Sequence, residues 1–219
     1  MGKSVPAAAV SVADSREGQG AAGFPFRRAF GAVRVQPPRM LAFARTPVVL
    51  RHPRTGRTYR LVLLDTLAPA PEVLERLVAL CNEPELFRWL FAARCVGRPY
   101  GPDDARGWLE WGAAGWREGR HFAFVALDEG GLPAAACDLQ SAAADPGIGY
   151  WCGGEHRGLG TPMVEALAVL TRAAGCTALQ ARVRPGNARS EALLRRCGFV
   201  RTGTGDEGSS RWFRPLGGG

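Results

Sequence analysis

The sequence predicts an α/β domain in which a mixed sheet is flanked by helices. Three observations carry this expectation. β-rich runs both precede and follow an apolar-sided helical segment, TPMVEALAVLTRAAG at residues 161–175. Two stretches, TPVVLRHPRTGRTYRLVLLD and HFAFVALDEGGLPAAACDLQ, place β-rich runs on either side of turn-like clusters. A glycine-rich stretch, GEHRGLGTPM at residues 154–163, stands where a strand gives way to the helix. With 219 residues, 46% of them hydrophobic, the chain is long enough for one substantial core and an appendage.

The appendage comes first. Residues 1–44 mix alanine, glycine, proline and arginine clusters without sustained period 2 or 3.6, which predicts a flexible basic leader. Residues 1–60 hold 11 Lys+Arg against 2 Asp+Glu, and the rest of the chain 17 against 18, so the net charge of +8 comes from the amino-terminal quarter. Such an arm suits phosphate backbones or an acidic partner. Lys3 is the only lysine, however, so arginine-rich composition explains the excess better, and nucleic-acid or ribosome contact is the secondary reading. Asp14 and Glu17 count against an organelle transit sequence, and Pro6 removes the motif for amino-terminal myristoylation.

The elements follow in order. HPRTGR, with Pro53 and Gly56, turns a hairpin between the first two strands. PEVLERLVALCNEP spaces Val73, Leu74, Leu77, Val78 and Leu80 as a helix face and stops at Asn82 and Pro84. ELFRWLFAARC is apolar and helix-compatible, and PDDARGWLEWGAAGWREG opens on Pro102, Asp103 and Asp104, good helix-start residues. Its tryptophans read as core or pocket wall. A strand pair around Asp128 to Gly131 leads to the strand GIGYWC, then the glycine stretch and the helix carrying Met163, Ala166, Leu167, Leu170 and Ala174 on one side. TALQARVRP is a strand, NARSEALLRRCG a helix, and FVRTG with SRWFRPL supplies a final hairpin.

Glycines let a backbone approach a ligand closely, and the first amides of a helix lack intrahelical partners, so GEHRGLGTPM has the makings of an anion site. A bare strand-to-helix turn would not explain the downstream segment VRPGNARSEALLRRCGF, residues 183–199. Taken together, GYWC, RGLGT and this segment resemble the GNAT acyltransferase superfamily over roughly residues 58–214, and GIGYW with PDDARGWLEW is most similar to its RimJ and RimL branch. The resemblance implies residues 45–219 as the acyltransferase domain. It also implies a mostly antiparallel sheet with a splayed central strand pair, and acetyl-CoA as acyl donor to a primary amine. Arg157, Gly158, Leu159, Gly160 and Thr161 would cradle the pyrophosphate. Backbone of Trp151, Cys152 and Gly153 would hold the pantetheine arm and polarise the thioester, with Asn187 and Ser190 lining the same channel. Pro162 stands where the family usually has a second small residue and removes one amide donor.

The family's leaving-group tyrosine position is Leu194 here, so the resemblance implies a thiolate that leaves unassisted or is protonated by water or by another group, for which Tyr150 is the candidate acid. Asp138, Asp145 and Glu155 are the carboxylates near the implied cleft, and Asp138 is the preferred base. The acceptor stays open between a protein amino terminus and a small amine such as an amino acid, polyamine or antibiotic. A non-catalytic acyl-CoA-binding module is the alternative that Leu194 and Pro162 would suit. The six cysteines are scattered singly, with none at zinc-ligand spacing from His52, His121 or His156, so no metal site is expected and the thiols read as reduced in a cytoplasmic protein. No apolar run is long enough for a bilayer, so no membrane partner is expected. The oligomer is expected to be a monomer or homodimer.

Overall fold

The computed structural model describes residues 41–217, so most of the expected leader lies outside the described residues. Leu41 is buried, and Phe43 packs against the rings of Trp116, Phe122 and Phe124 at 5.4, 5.0 and 5.7 Å.

Alternation builds the first sheet. Strands β1 (Val48–Arg51), β2 (Thr58–Leu63), β3 (Phe122–Leu127), β4 (Pro133–Leu139) and β5 (Ile148–Cys152) pair antiparallel in sequence order. Every residue of β3 is buried: Phe122, Phe124 and Ala126 enter one core, Ala123, Val125 and Leu127 the other. A strand covered on both faces needs no polar side, and FAFVAL has none. Helices α1 (Pro71–Cys81) and α3 (Pro102–Glu118) cover one face, while α4 (Gly160–Ala173) covers the other. Helix α1 buries Val73, Leu74, Leu77 and Leu80 as its spacing predicts. Helix α3 starts at Pro102, with the Asp104 carboxylate accepting from Gly101 N–H at 2.8 Å, and ends at left-handed Gly119.

Strand β6 (Ala178–Val183), helix α5 (Ala188–Arg196), β7 (Val200–Thr204) and β8 (Ser210–Pro215) follow, with β8 between β6 and β7 in a second antiparallel sheet. The two sheets meet at one parallel bridge, Gly147 with Gln180, where Gln180 N–H donates to Pro146 O at 3.0 Å. Beyond it β5 and β6 form no ladder, which is the splayed pair.

Two expectations are corrected. The apolar segment at 85–95 is not a continuous helix: α2 (Pro84–Leu86) makes one turn, and a π turn follows over Phe87–Phe91. Helix α4 buries Met163, Val164, Leu167, Ala168 and Thr171, so its core stripe is rotated from the expected one, and Ala166, Leu170 and Ala174 pack on its flank. Thr171 is tolerated there because its hydroxyl donates to Leu167 O at 2.6 Å.

Candidate active site

A cleft of about 670 Å³ opens where β5 parts from β6. It is lined by Tyr150, Trp151 and Cys152 of β5, by Arg157, Gly158, Gly160 and Thr161 of the glycine turn, and by Asn187 and Ser190 of α5. The structure thus brings together nine of the sequence candidates. Leu86, Trp89 and Leu90 form an opposing wall, and Pro53 and Arg54 reach in from the β1–β2 turn. Gly153, Leu159 and Asp138 do not line the cleft. A shallower hollow of about 470 Å³ between Asn82 and Pro99 offers one arginine, Arg98, already paired with Asp104, so the chemistry points to the larger cleft.

Hydrogen-bond parity decides which amides of β5 are on offer. Gln140 N–H donates to Gly147 O at 2.9 Å and Gly153 N–H to Ala134 O at 3.0 Å, so the odd-numbered residues turn their backbone toward β4. Alternation then aims the N–H groups of Tyr150 and Cys152 off the sheet edge into the cleft. The amide of Trp151 faces β4 instead. Gly153 is needed for packing: a Cβ there would lie 2.5 Å from Leu80 Cδ2.

The glycine turn sorts its donors in the same way. Arg157 N–H donates to Gly154 O and Leu159 N–H to His156 O, and the Leu159 side chain is fully buried. Helix α4 begins at Gly160 with Leu159 at its cap position, so Pro162 is its third residue. Within residues 157–161 this leaves the N–H groups of Gly158, Gly160 and Thr161 as the donors without a protein partner. Three such donors beside the Arg157 guanidinium at a helix N-terminus make a site for a phosphate or similar anion.

Two buried histidines hold this turn. His52 Nδ1 accepts from the backbone N–H groups of Arg54 and Thr55, both at 3.2 Å, so Nε2 carries the proton and donates to Arg157 O at 2.9 Å. Arg54 donates to the same carbonyl at 2.9 Å. Gly158 has φ +120°, and a Cβ on it would lie 2.8 Å from His52 Nε2, so only glycine passes there. On the other side Arg76 donates to His156 Nε2 at 2.8 Å, which leaves Nδ1–H to donate to the Tyr59 hydroxyl at 2.9 Å. Burial first, and the Arg76 charge second, hold the His156 pKa below its ordinary value. Nothing in the local sequence marks these supports, because His52 meets Arg157 across 105 residues.

The proton-handling candidates are set differently. The Tyr150 hydroxyl lies 2.6 Å from Ser190 Oγ and donates to Ser190 O at 3.3 Å, and burial pushes its pKa up, so it stays protonated at neutral pH. Asp138 is 1% exposed, accepts from Gly149 N–H at 3.1 Å, and is pushed up to about 7 by burial. Asp145 is engaged by Gln180 Nε2 at 2.7 Å, and Glu155 is exposed beside Arg76. Cys152 donates to His156 O at 2.9 Å, and burial raises its thiol to about 12, which leaves little thiolate for nucleophilic work. Asn187 caps α5 by accepting from Ser190 N–H at 3.1 Å, and Leu194 is fully buried in the core. Among the described residues no three His, Cys, Asp or Glu side chains cluster as a metal site, and no helix is long and apolar enough to cross a membrane.

Splayed strands, an edge row of inward amides and a glycine turn at a helix N-terminus define an α/β domain with a donor-lined cleft. The chain matches the model of the acetyltransferase (GNAT) domain over residues 62–200, more than half its length, and belongs to that family. Among solved structures it is similar to Mycobacterium smegmatis RimJ in complex with CoA-disulfide, at 20% identity and TM-score 0.61, covering 77% of this chain and 86% of that one. It is also similar to a ribosomal-protein-S5-alanine acetyltransferase from Vibrio fischeri, at 15% identity and TM-score 0.58, covering 78% and 97%. The microcin C7 self-immunity acetyltransferase MccE, in complex with acetyl-CoA and AMP, is 18% identical with TM-score 0.57, covering 71% and 92%. At these identities the likeness is one of fold. No curated protein sequence matches the chain.

Proposed function

We propose that the protein transfers an acetyl group from acetyl-CoA to a primary amine by direct attack in a ternary complex, with a protein amino terminus as the acceptor. The observation that carries this reading is the continuity of donors: the Tyr150 and Cys152 amides along the β5 edge lead to those of Gly158, Gly160 and Thr161 at the helix start. An acyl-CoA needs both parts, amides for its pantetheine arm and a concentrated donor site for its pyrophosphate.

In this reading the Cys152 amide meets the charge that develops on the thioester oxygen as the amine attacks, because it is fixed in place before reaction. Tyr150, kept protonated by burial, supplies a proton to the departing thiolate. Asp138, held near neutrality but set behind the cleft wall, takes the proton of the attacking amine by way of a water, from the opposite face of the strand pair. The amino-terminal acceptor is supported by the shared fold with the RimJ and S5-alanine enzymes; a small amine is the other acceptor to be screened.

Calorimetry with acetyl-CoA tests the donor site, comparing the wild type with Gly160→Glu, which brings a negative charge to the turn. Binding by the wild type and none by a folded variant is expected, followed by a single acetyl mass increment on the α-amine of presented peptides. A folded wild type that takes up no acetyl-CoA would overturn the reading.

A further inference from the structure

The segment from Glu83 to Phe91 crosses the cleft and is tied to both of its banks. On the β5 side the Glu83 carboxylate accepts from Gly154 N–H at 2.6 Å, and Glu85 accepts from Arg157 at 3.1 Å. On the β6 side Glu85 also pairs with Arg189, and Arg184 donates to Trp89 O at 2.6 Å. The backbone between these ties is one α turn followed by the π turn, a register shift that turns Trp89 and Leu90 toward the cleft and breaks the helical ladder. Arg157 and Arg189 are both cleft-lining cations, and one carboxylate holds the pair of them.

We propose that Glu85 is a built-in competitor for the phosphates of acyl-CoA, and that segment 83–91 is a strap which cofactor binding displaces. A carboxylate offers the same charge sign and the same acceptor oxygens to a guanidinium as a phosphate does, so the two exclude one another at Arg157 and Arg189. Releasing Glu85 removes the strap's two charge-paired ties and leaves Glu83 with Gly154 and Trp89 O with Arg184 as its anchors, so acyl-CoA binding loosens the cleft wall of Leu86, Trp89 and Leu90 held between them. The inference rests on the reading of the cleft as an acyl-CoA site.

The test uses Glu85→Gln in the full chain, which keeps shape and removes charge, with Glu72→Gln on the exposed face of α1 as the charge control. Both of Glu85's pairs are partly exposed, so acetyl-CoA should bind Glu85→Gln roughly three- to tenfold more tightly than wild type, with Glu72→Gln near wild type. Hydrogen exchange of amides 85–91 should be faster in Glu85→Gln, and should quicken in the wild type when acetyl-CoA is added. Equal or weaker binding by Glu85→Gln would make Glu85 a prop for the arginines and overturn the proposal, as would an equal gain in Glu72→Gln or unchanged exchange on adding acetyl-CoA. If neither wild type nor variant takes up acetyl-CoA, the cleft reading and the strap fall together, an outcome distinct from failure of the strap alone.

Discussion

Asp138 pairs across strands with Gly149, and Tyr150 is the next residue along, so the two candidate proton carriers lie on opposite faces of one strand pair. That arrangement separates the acceptor's proton from the leaving group's. Tyr150→Phe removes the hydroxyl and keeps the ring; kcat should fall about 100-fold, within the usual range for general acid catalysis, while acetyl-CoA affinity changes little. Ser190→Ala, which removes a partner of that hydroxyl and not the donor itself, should cost less. An undiminished kcat in Tyr150→Phe would assign the thiolate's proton to water. Asp138 makes a separate prediction. With its pKa at about 7, kcat/KM should rise with pH through neutrality, and Asp138→Asn should abolish that limb together with most of the rate. A pH profile unchanged in Asp138→Asn would remove the residue from the reaction.

At the scale of elements, the glycine turn is only as good as its supports. Gly158→Ala forces a side chain into a left-handed conformation 2.8 Å from His52 Nε2, and His52 can yield only by releasing Arg157 O. Acetyl-CoA affinity should drop roughly tenfold or more, about the equivalent of one to two net hydrogen bonds, with the melting temperature lowered only modestly. His52→Ala should reproduce part of that loss; unchanged affinity in both variants would mean that the turn holds its shape unaided. Strand β5, the turn, α4 and the Asn187 cap are contiguous or at fixed spacing, and local rules of helix starts, glycine and apolar period reach them. The supports are long-range. His52 reads as a residue of a surface hairpin and Arg76 as a solvated helix charge, and only the folded chain brings them to the turn across 105 and, for Arg76 with His156, 80 residues. The break at 84–91 was illegible for another reason: ELFRWLFAARC has the period of a helix, and what divides it is tertiary anchoring of Glu83, Glu85 and Trp89 to the two banks of the cleft.

At the scale of the whole molecule, the buried titratable groups set opposing demands on pH. Burial raises Asp138 from the ordinary carboxylate value to about 7, so between those values the folded state binds a proton that the unfolded chain does not. Its stabilising contribution is therefore present at low pH and lost as pH rises through about 7. His121 and His156 act in the reverse sense. Burial lowers both below the ordinary 6.5, so on acidification the unfolded chain takes up protons first, and stability falls as pH drops below about 6.5. Wild-type stability should accordingly change little between pH 8 and about 7 and rise as pH falls below about 7, a rise contested below 6.5, where one carboxylate opposes two imidazoles. Asp138→Asn removes the carboxylate's slope while keeping an oxygen to accept from Gly149 N–H. Its gain over wild type should be on the order of 4 kcal/mol at pH 8, shrinking toward zero near pH 4. Below pH 6.5 the variant should also show a steeper acid loss, because the histidine contribution is no longer offset. Thermal denaturation of both proteins between pH 5 and 8 measures this directly. Parallel curves would mean that Asp138 keeps the same charge folded and unfolded, and would withdraw its neutral-range pKa from the base assignment as well as from the stability argument.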